Sequence, residues 1–220
     1  MGVLPGETWS RLARRGVARS FAPGEVILHQ GEQADQVILT LDGRVKISRI
    51  DARGGTRTLA VLGPGELIGG PAVLNPNHRR SASVTAIDPC EVRFFLVGDF
   101  TTVTTALGLH TLIVEHVVGR LQDAEDARVK MAGLPAAQRL ARCLLVFAVP
   151  RTEGALRAVG RPDRIDVALD ADELAQLTGV ARPVVADELR ALREDGIVQM
   201  TRDRVVIVDV ARLRARINPA

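Results

Sequence analysis

The sequence predicts an α+β fold: an N-terminal antiparallel β-barrel, a long helix and a C-terminal winged helix-turn-helix. Three observations predict it. Between Gly24 and about Val97, short β-rich runs are punctuated by glycine, the spacing of a small antiparallel barrel or sandwich. From about Asp99 to Met131 the apolar residues recur at helical spacing instead. From Asp170 to Gly196 two short helical patterns flank a tight turn, and the strand pair IVQMTRDRVVIVD follows at once.

At 220 residues and 46% hydrophobic content the chain can build two modest domains, each with its own core. The expected division is a β-barrel domain over 1–98, a helix and hinge over 99–134, and a winged helix-turn-helix domain over 135–220. No apolar run approaches the roughly 18 residues of a spanning helix. The N-terminus, MGVLPGETWSRLARRG, is broken by Gly, Pro and Arg, so a cytoplasmic protein with no membrane partner is expected. Cys90 and Cys143 are isolated, which suits buried, reduced thiols and excludes a cysteine-ligated metal cluster. The net charge of +3 is compatible with nucleic acid without requiring it. Residues 135–220 carry 14 basic and 12 acidic side chains, so any basic footprint there must be local.

The elements follow in order. Thr8 to Arg15 suits a short amphipathic helix with Trp9 and Leu12 turned towards the barrel. The runs EVILHQ, QVILTL, GRVKISRI, RTLAVL, SASVTAI and CEVRFFLV supply the strands, with Asp42-Gly43 and Arg53-Gly54-Gly55 as hairpin turns. In the long helix, Leu109, Ile113, Val117, Leu121, Ala124 and Met131 form a narrow apolar seam. Such a seam suits a second copy of the chain. Ile113, Val117, Leu121, Ala124 and Met131 are therefore candidates for a homodimer interface, and packing on the chain's own barrel is the alternative. Gly133 and Pro135 break the helix, and Ala136 to Val149 forms a further apolar helix.

In the C-terminal stretch Asp170 is a good N-cap, and Glu173 three residues on completes a capping box. Leu174 and Leu177 give this helix its apolar stripe, and Gly179 stands where a left-handed C-terminal residue is wanted. Pro183 suits the first turn of the second helix, where its missing amide costs nothing. Val185, Leu189 and Leu192 then repeat at i, i+4 and i+7 before Gly196 closes the helix. The remaining face carries Arg182, Ala186, Asp187, Arg190 and Arg193. A helix lying in a major groove would offer such a face, and so would an ordinary helical hairpin with a solvated side.

Three segments, PGEVILHQGEQADQVILTLDGRVKI (23–47), GPGELIGGPAVL with RRSASVTA (63–86), and the helix-turn-helix, occur in this order around a long helix. Together they resemble the cyclic-AMP receptor protein and FNR (CRP/FNR) family of bacterial transcription regulators. The resemblance covers almost the whole chain and implies a cyclic-nucleotide-binding-like, jelly-roll barrel and a homodimer on a two-fold DNA operator. It also allows RNA polymerase as a partner. In such a barrel Gly69, Gly70, Pro71, Ala72, Arg80 and Ser81 would form a phosphate cassette for a cyclic nucleotide or another anion. Gly70 stands where cyclic-nucleotide binders place a ribose-binding glutamate, and Ala124 and Glu125 fall where a Thr-Ser pair would meet adenine. High-affinity cyclic AMP is therefore not expected.

In the recognition helix the resemblance retains Arg182, while Pro183 and Asp187 depart from the family pattern. Arg182 would grip a guanine edge, Asp187 would accept from a cytosine amine, and Val184 would touch a thymine methyl. Arg190, Arg193, Arg202 and Arg204 would contact phosphates. The histidines, His29, His78, His110 and His116, have no Cys or Met at haem-ligand spacing. No catalytic constellation stands out, so the chain is not expected to be an enzyme. Two other readings remain open: a regulator that needs no ligand, and a ligand-binding signalling module with weakened DNA binding.

Overall fold

The computed structural model of the chain describes residues 6–75, 77, 79–148, 164–201 and 204–217, without the side chains of 121, 123–125, 127 and 128. The chain folds as two compact units, Met1–Asp126 and Ala127–Ala220.

The first unit opens with helix α1 (Gly6–Ala13), which buries Leu12 and lays Trp9 against the same core. Its strands are β1 (Val17–Phe21), β2 (Val26–Leu28), β3 (Gln36–Asp42), β4 (Val45–Ile50), β5 (Thr56–Leu62), β6 (Leu67–Ile68), β7 (Ser83–Ala86) and β8 (Cys90–Leu96), with helix α2 (Pro71–Leu74) between β6 and β7. They form two four-stranded antiparallel sheets, ordered β1-β8-β3-β6 and β2-β7-β4-β5. Ile38, Ile68 and Val92 of the first sheet meet Leu28, Val45 and Val84 of the second in one core.

One expected hairpin is a corner instead. Arg53-Gly54-Gly55 does join the paired strands β4 and β5, but Asp42-Gly43 carries the chain from one sheet to the other. Gly43 has φ +78°, and a Cβ there would lie 2.3 Å from the Pro89 carbonyl oxygen. The glycine thus marks a close backbone crossing.

The helical stretch from residue 99 is also divided, into α3 (Val97–Ala106) and α4 (His110–Ala132). Gly108, at φ +68°, turns the chain between them. Phe100, Leu109, Ile113 and Val117 pack with Leu12, Val37, Leu39 and Phe95 in a second core on the outer side of the β3–β8 pair. Phe95 and Phe100 meet edge-on, with ring centroids 5.3 Å apart. Ile113 and Val117, expected at a dimer interface, are therefore committed to their own chain. The first part of the seam, Leu109, Ile113 and Val117, has the right period but faces the chain's own β domain. Met131 is half-buried, and the side chains of Leu121 and Ala124 lie outside the described residues.

In the second unit helix α5 (Ala136–Ala148) buries Leu140, Ala141, Leu144, Leu145 and Phe147. It packs against α6 (Ala171–Thr178), α7 (Arg182–Glu194) and α8 (Val210–Ala215). Strands β10 (Val198–Met200) and β11 (Val205–Ile207) form the expected pair, and β9 (Ile165–Asp166) adds a third strand beside β11. The local signals at α6 hold: Asp170 accepts from the Glu173 amide at 2.8 Å, the Glu173 carboxylate returns to the Asp170 amide, and Gly179 is left-handed at φ 65°. Cys90 is buried and Cys143 half-buried, both as free thiols. Desolvation pushes them up to about 11 and about 12, so both stay protonated at neutral pH.

Replacing Asp170 with Ala removes the acceptor for the Glu173 amide. The opening free energy of the α6 amides should fall by about 1 kcal/mol, measured by native-state hydrogen exchange on the full chain.

Candidate functional site

Within the first unit, a cavity of about 330 Å³ lies between the strands and helix α4. That is the lower end of the range for small-molecule sites. Its walls include Leu28, Ile47, Leu62, Ile68, Val84 and Val117, and its polar groups come from Arg80, Ser81, His116 and Arg120. Gly69, Gly70, Pro71 and Ala72 complete one side. The structure thus brings together Gly69, Gly70, Pro71, Ala72, Arg80 and Ser81 as expected. The side chains of Ala124 and Glu125 lie outside the described residues, as does His78.

Arg80 is the cation that the β domain supplies to this cavity. It is 8% exposed, and its Nη2 donates to the Gln36 carbonyl oxygen at 3.1 Å. Its backbone is fixed by the Arg80 amide to the Glu32 carbonyl and the Gly31 amide to the Arg80 carbonyl, both 2.9 Å. Burial lowers its pKa from the ordinary arginine value, against the opposing pull of Asp35 and Glu32. An arginine stays charged regardless, so a guanidinium beside an apolar cavity is a ready partner for an anion. Helix α2 adds little to it. Pro71 has no amide, and the Ala72 and Val73 amides donate to the Gly69 and Gly70 carbonyls at 2.9 Å each.

Gly69 has φ +82°, and a Cβ there would stand 2.8 Å from the Gln36 carbonyl oxygen. Gly70 is constrained from another direction: its Cβ would stand 2.7 Å from Val117 Cγ2 on α4. A glutamate at 70 has no room while α4 sits where it does. Glu66, only 2% exposed, pairs with Arg120 of α4 at 2.9 Å and holds that cavity-lining arginine in place. His116, one turn before Arg120, also lines the cavity, and burial followed by the Arg120 charge lowers its pKa. It therefore faces the cavity as a neutral imidazole near pH 7. Glu66 and His116 escaped the sequence reading, because both depend on where α4 lies. The only local hint was an acid beside the short apolar run Leu67-Ile68.

The second candidate surface is the outer face of α7. Val185, Leu189 and Leu192 are buried, while Arg182, Val184, Asp187, Arg190 and Arg193 are exposed. This matches the expected division of the helix. Three arginines on and beside this face are nevertheless paired: Arg182 Nε lies 2.5 Å from Asp172, Arg190 Nη1 2.7 Å from Asp187, and Arg204 Nη1 2.8 Å from Asp166. Arg202 lies outside the described residues. Asp172 was read only as part of the capped first helix. Its pairing across the turn has no local signature.

A β domain with an apolar cavity and a buried cation, followed by a helix-turn-helix with a polar outer face, is the build of a two-domain transcription regulator. Comparison with known proteins gives the class its family. Residues 18–105 match the cyclic nucleotide-binding domain family, and residues 138–216 match the Crp-like helix-turn-helix domain family. The cyclic AMP receptor protein of Thermus thermophilus is 27% identical over 195 residues, covering 89% of this chain and 85% of that protein. Two solved structures share the fold. The c-di-GMP-responsive global regulator CLP of Xanthomonas campestris has a TM-score of 0.67 at 19% identity, over 92% of this chain and 99% of that one. A CRP-family transcriptional regulator from Thermus thermophilus has a TM-score of 0.67 at 22% identity, over 92% and 97%. The chain belongs to the CRP/FNR family of transcription regulators. Among the described residues no helix is long and apolar enough to cross a membrane, and no group of His, Cys, Asp or Glu could hold a metal ion.

The Gly70–Val117 contact makes a stability prediction. Gly70→Ala should cost about 1 to 3 kcal/mol through overpacking. Combined with Val117→Ala it should cost less than the two single changes added together, by about 0.5 to 3 kcal/mol, read from urea unfolding of the first unit.

Proposed function

We propose that this regulator binds a two-fold DNA operator as a homodimer, with α7 in the major groove and an anionic effector on Arg80. One observation carries the DNA half. The buried side of α7 fixes the helix in its unit, while Arg182, Val184 and Asp187 project from its first two turns. Those turns are the part of a recognition helix that reaches base edges. Arg182 reads a guanine, Val184 a thymine methyl and Asp187 a cytosine amine, and Arg190, Arg193, Arg202 and Arg204 place the helix through phosphates. Among the described side chains of α4, the exposed apolar residues Val118 and Val129, 41% and 74% exposed, are available to a second copy. The protein works in the cytoplasm, where RNA polymerase is a further partner, and it is not an enzyme.

The effector half rests on Arg80, buried at the cavity. Gly70 removes the carboxylate that would hold a ribose hydroxyl, and Val117 closes the space such a group would need. Losing a buried hydrogen-bond partner costs about 1 to 3 kcal/mol, so cyclic AMP is a poor fit and a different nucleotide or anion is the effector. A second reading, regulation without a ligand, is favoured by Glu66–Arg120 and Gly70–Val117, two contacts that hold α4 on the β domain without an effector.

Selection from random duplexes should enrich a two-fold site with half-sites about 34 Å apart. No enriched, salt-sensitive site would defeat the DNA reading. Calorimetry of the full chain with cyclic AMP, cyclic GMP and cyclic dinucleotides tests the effector. Any ligand bound on Arg80 should lose about tenfold or more in affinity in Arg80→Gln, equivalent to about 1.4 kcal/mol. Tight operator binding with no nucleotide bound would favour the second reading.

A further inference from the structure

We infer that Asp172 is a positioning residue for base readout: its carboxylate lies against Arg182 Nε and biases the side chain towards presenting its two terminal nitrogens to a guanine. This rests on the reading of Arg182 as a base contact and goes beyond it by assigning the residue that orients the reader.

The geometry points to Asp172 in three steps. The pair joins two firmly placed backbones. Asp172 lies in the first turn of α6, whose start is locked by the Asp170–Glu173 capping box, and Arg182 opens α7 with Pro183 directly after it. A carboxylate in a helix's first turn is also favoured by the helix dipole. The pair is open to water, with side chains 67% and 57% exposed. An exposed ion pair contributes little to stability, so its consequence is a bias: among the many rotamers of a long side chain, those that keep Nε by the carboxylate are favoured before DNA arrives.

The third step is which nitrogen is used. Recognition of guanine needs two adjacent guanidinium donors facing O6 and N7. Arg190 and Arg204 meet their carboxylates through Nη1, at the end of the fork. Arg182 meets Asp172 through Nε, at 2.5 Å, which leaves Nη1 and Nη2 side by side at the tip. Of these three arginines, Arg182 alone keeps the end of its fork out of its closest ion contact. The same carboxylate carries a negative charge towards the phosphates, which weakens non-specific binding. Asp172 thus trades general affinity for discrimination.

The test uses the full chain and the operator obtained by selection, with binding measured on that operator, on variants at each position and on random duplex. Arg182→Ala should relax preference at one position. Asp172→Asn should reduce the guanine preference there by about twofold to fivefold, while leaving random-duplex binding equal or tighter. Asp172→Ala combined with Arg182→Ala should lose no more preference than Arg182→Ala alone. If Asp172→Asn tightens all duplexes by one factor and leaves base preference intact, the carboxylate is only a repulsive charge and the inference is overturned. If Arg182→Ala weakens every sequence equally, Arg182 is a phosphate contact and the reading beneath the inference fails with it.

Discussion

A single close approach organises the first unit: α4 comes so near the turn before α2 that position 70 has room only for glycine. The approach turns Val117 into a wall of the cavity, and Ile113, one turn earlier, into core. It also brings Arg120 to Glu66. An isolated buried carboxylate would be costly to desolvate, and the helix supplies the compensating charge. Steric fit and charge neutralisation therefore fix the same helix in the same place, and the polar character of the cavity follows from that placement. Arg80 remains as the cation held by the β domain itself. Arg120 is already matched by Glu66, and His116 is kept neutral by burial and by the neighbouring arginine.

This explains what could be read in advance. The helix-turn-helix was legible nearly residue by residue because its signals are local: an N-cap and its partner three residues apart, a glycine at a left-handed position, a proline in a first turn. Six strands of the first unit, β2 to β5, β7 and β8, were legible by alternation and glycine punctuation. Strands β1, β6 and β9 were not, since VARSF is largely exposed and the other two have only two residues each. Asp42-Gly43 has hairpin chemistry, but its reason for being glycine is the Pro89 carbonyl, which is 46 residues away from Gly43 in sequence. Periodicity shows that a helix has an apolar stripe without naming what covers it. The seam of α4 was for that reason open to two interpretations, a partner chain or its own barrel, and Ile113 and Val117 chose the barrel. Within the pocket, Gly69, Gly70, Arg80 and Ser81 were visible as a cassette. Glu66 and His116 become pocket or support residues only once α4 is in place.

The second unit shows a related economy of charge. A chain with a net charge of only +3 cannot rely on a broad positive field to find DNA, and three arginines on and beside α7 are moreover matched by nearby carboxylates. Asp172, Asp187 and Asp166 each hold one of them. Pairing reduces the net attraction to phosphate at any sequence, because each contact to DNA competes with a contact already made. It also restricts where each guanidinium points, which matters more for reading bases than for neutralising a backbone. A regulator built this way gains selectivity from low background binding as much as from strong specific contacts, since discrimination is the ratio of the two. The acidic residues that make the unit look weakly basic by composition are then part of how it would choose its site.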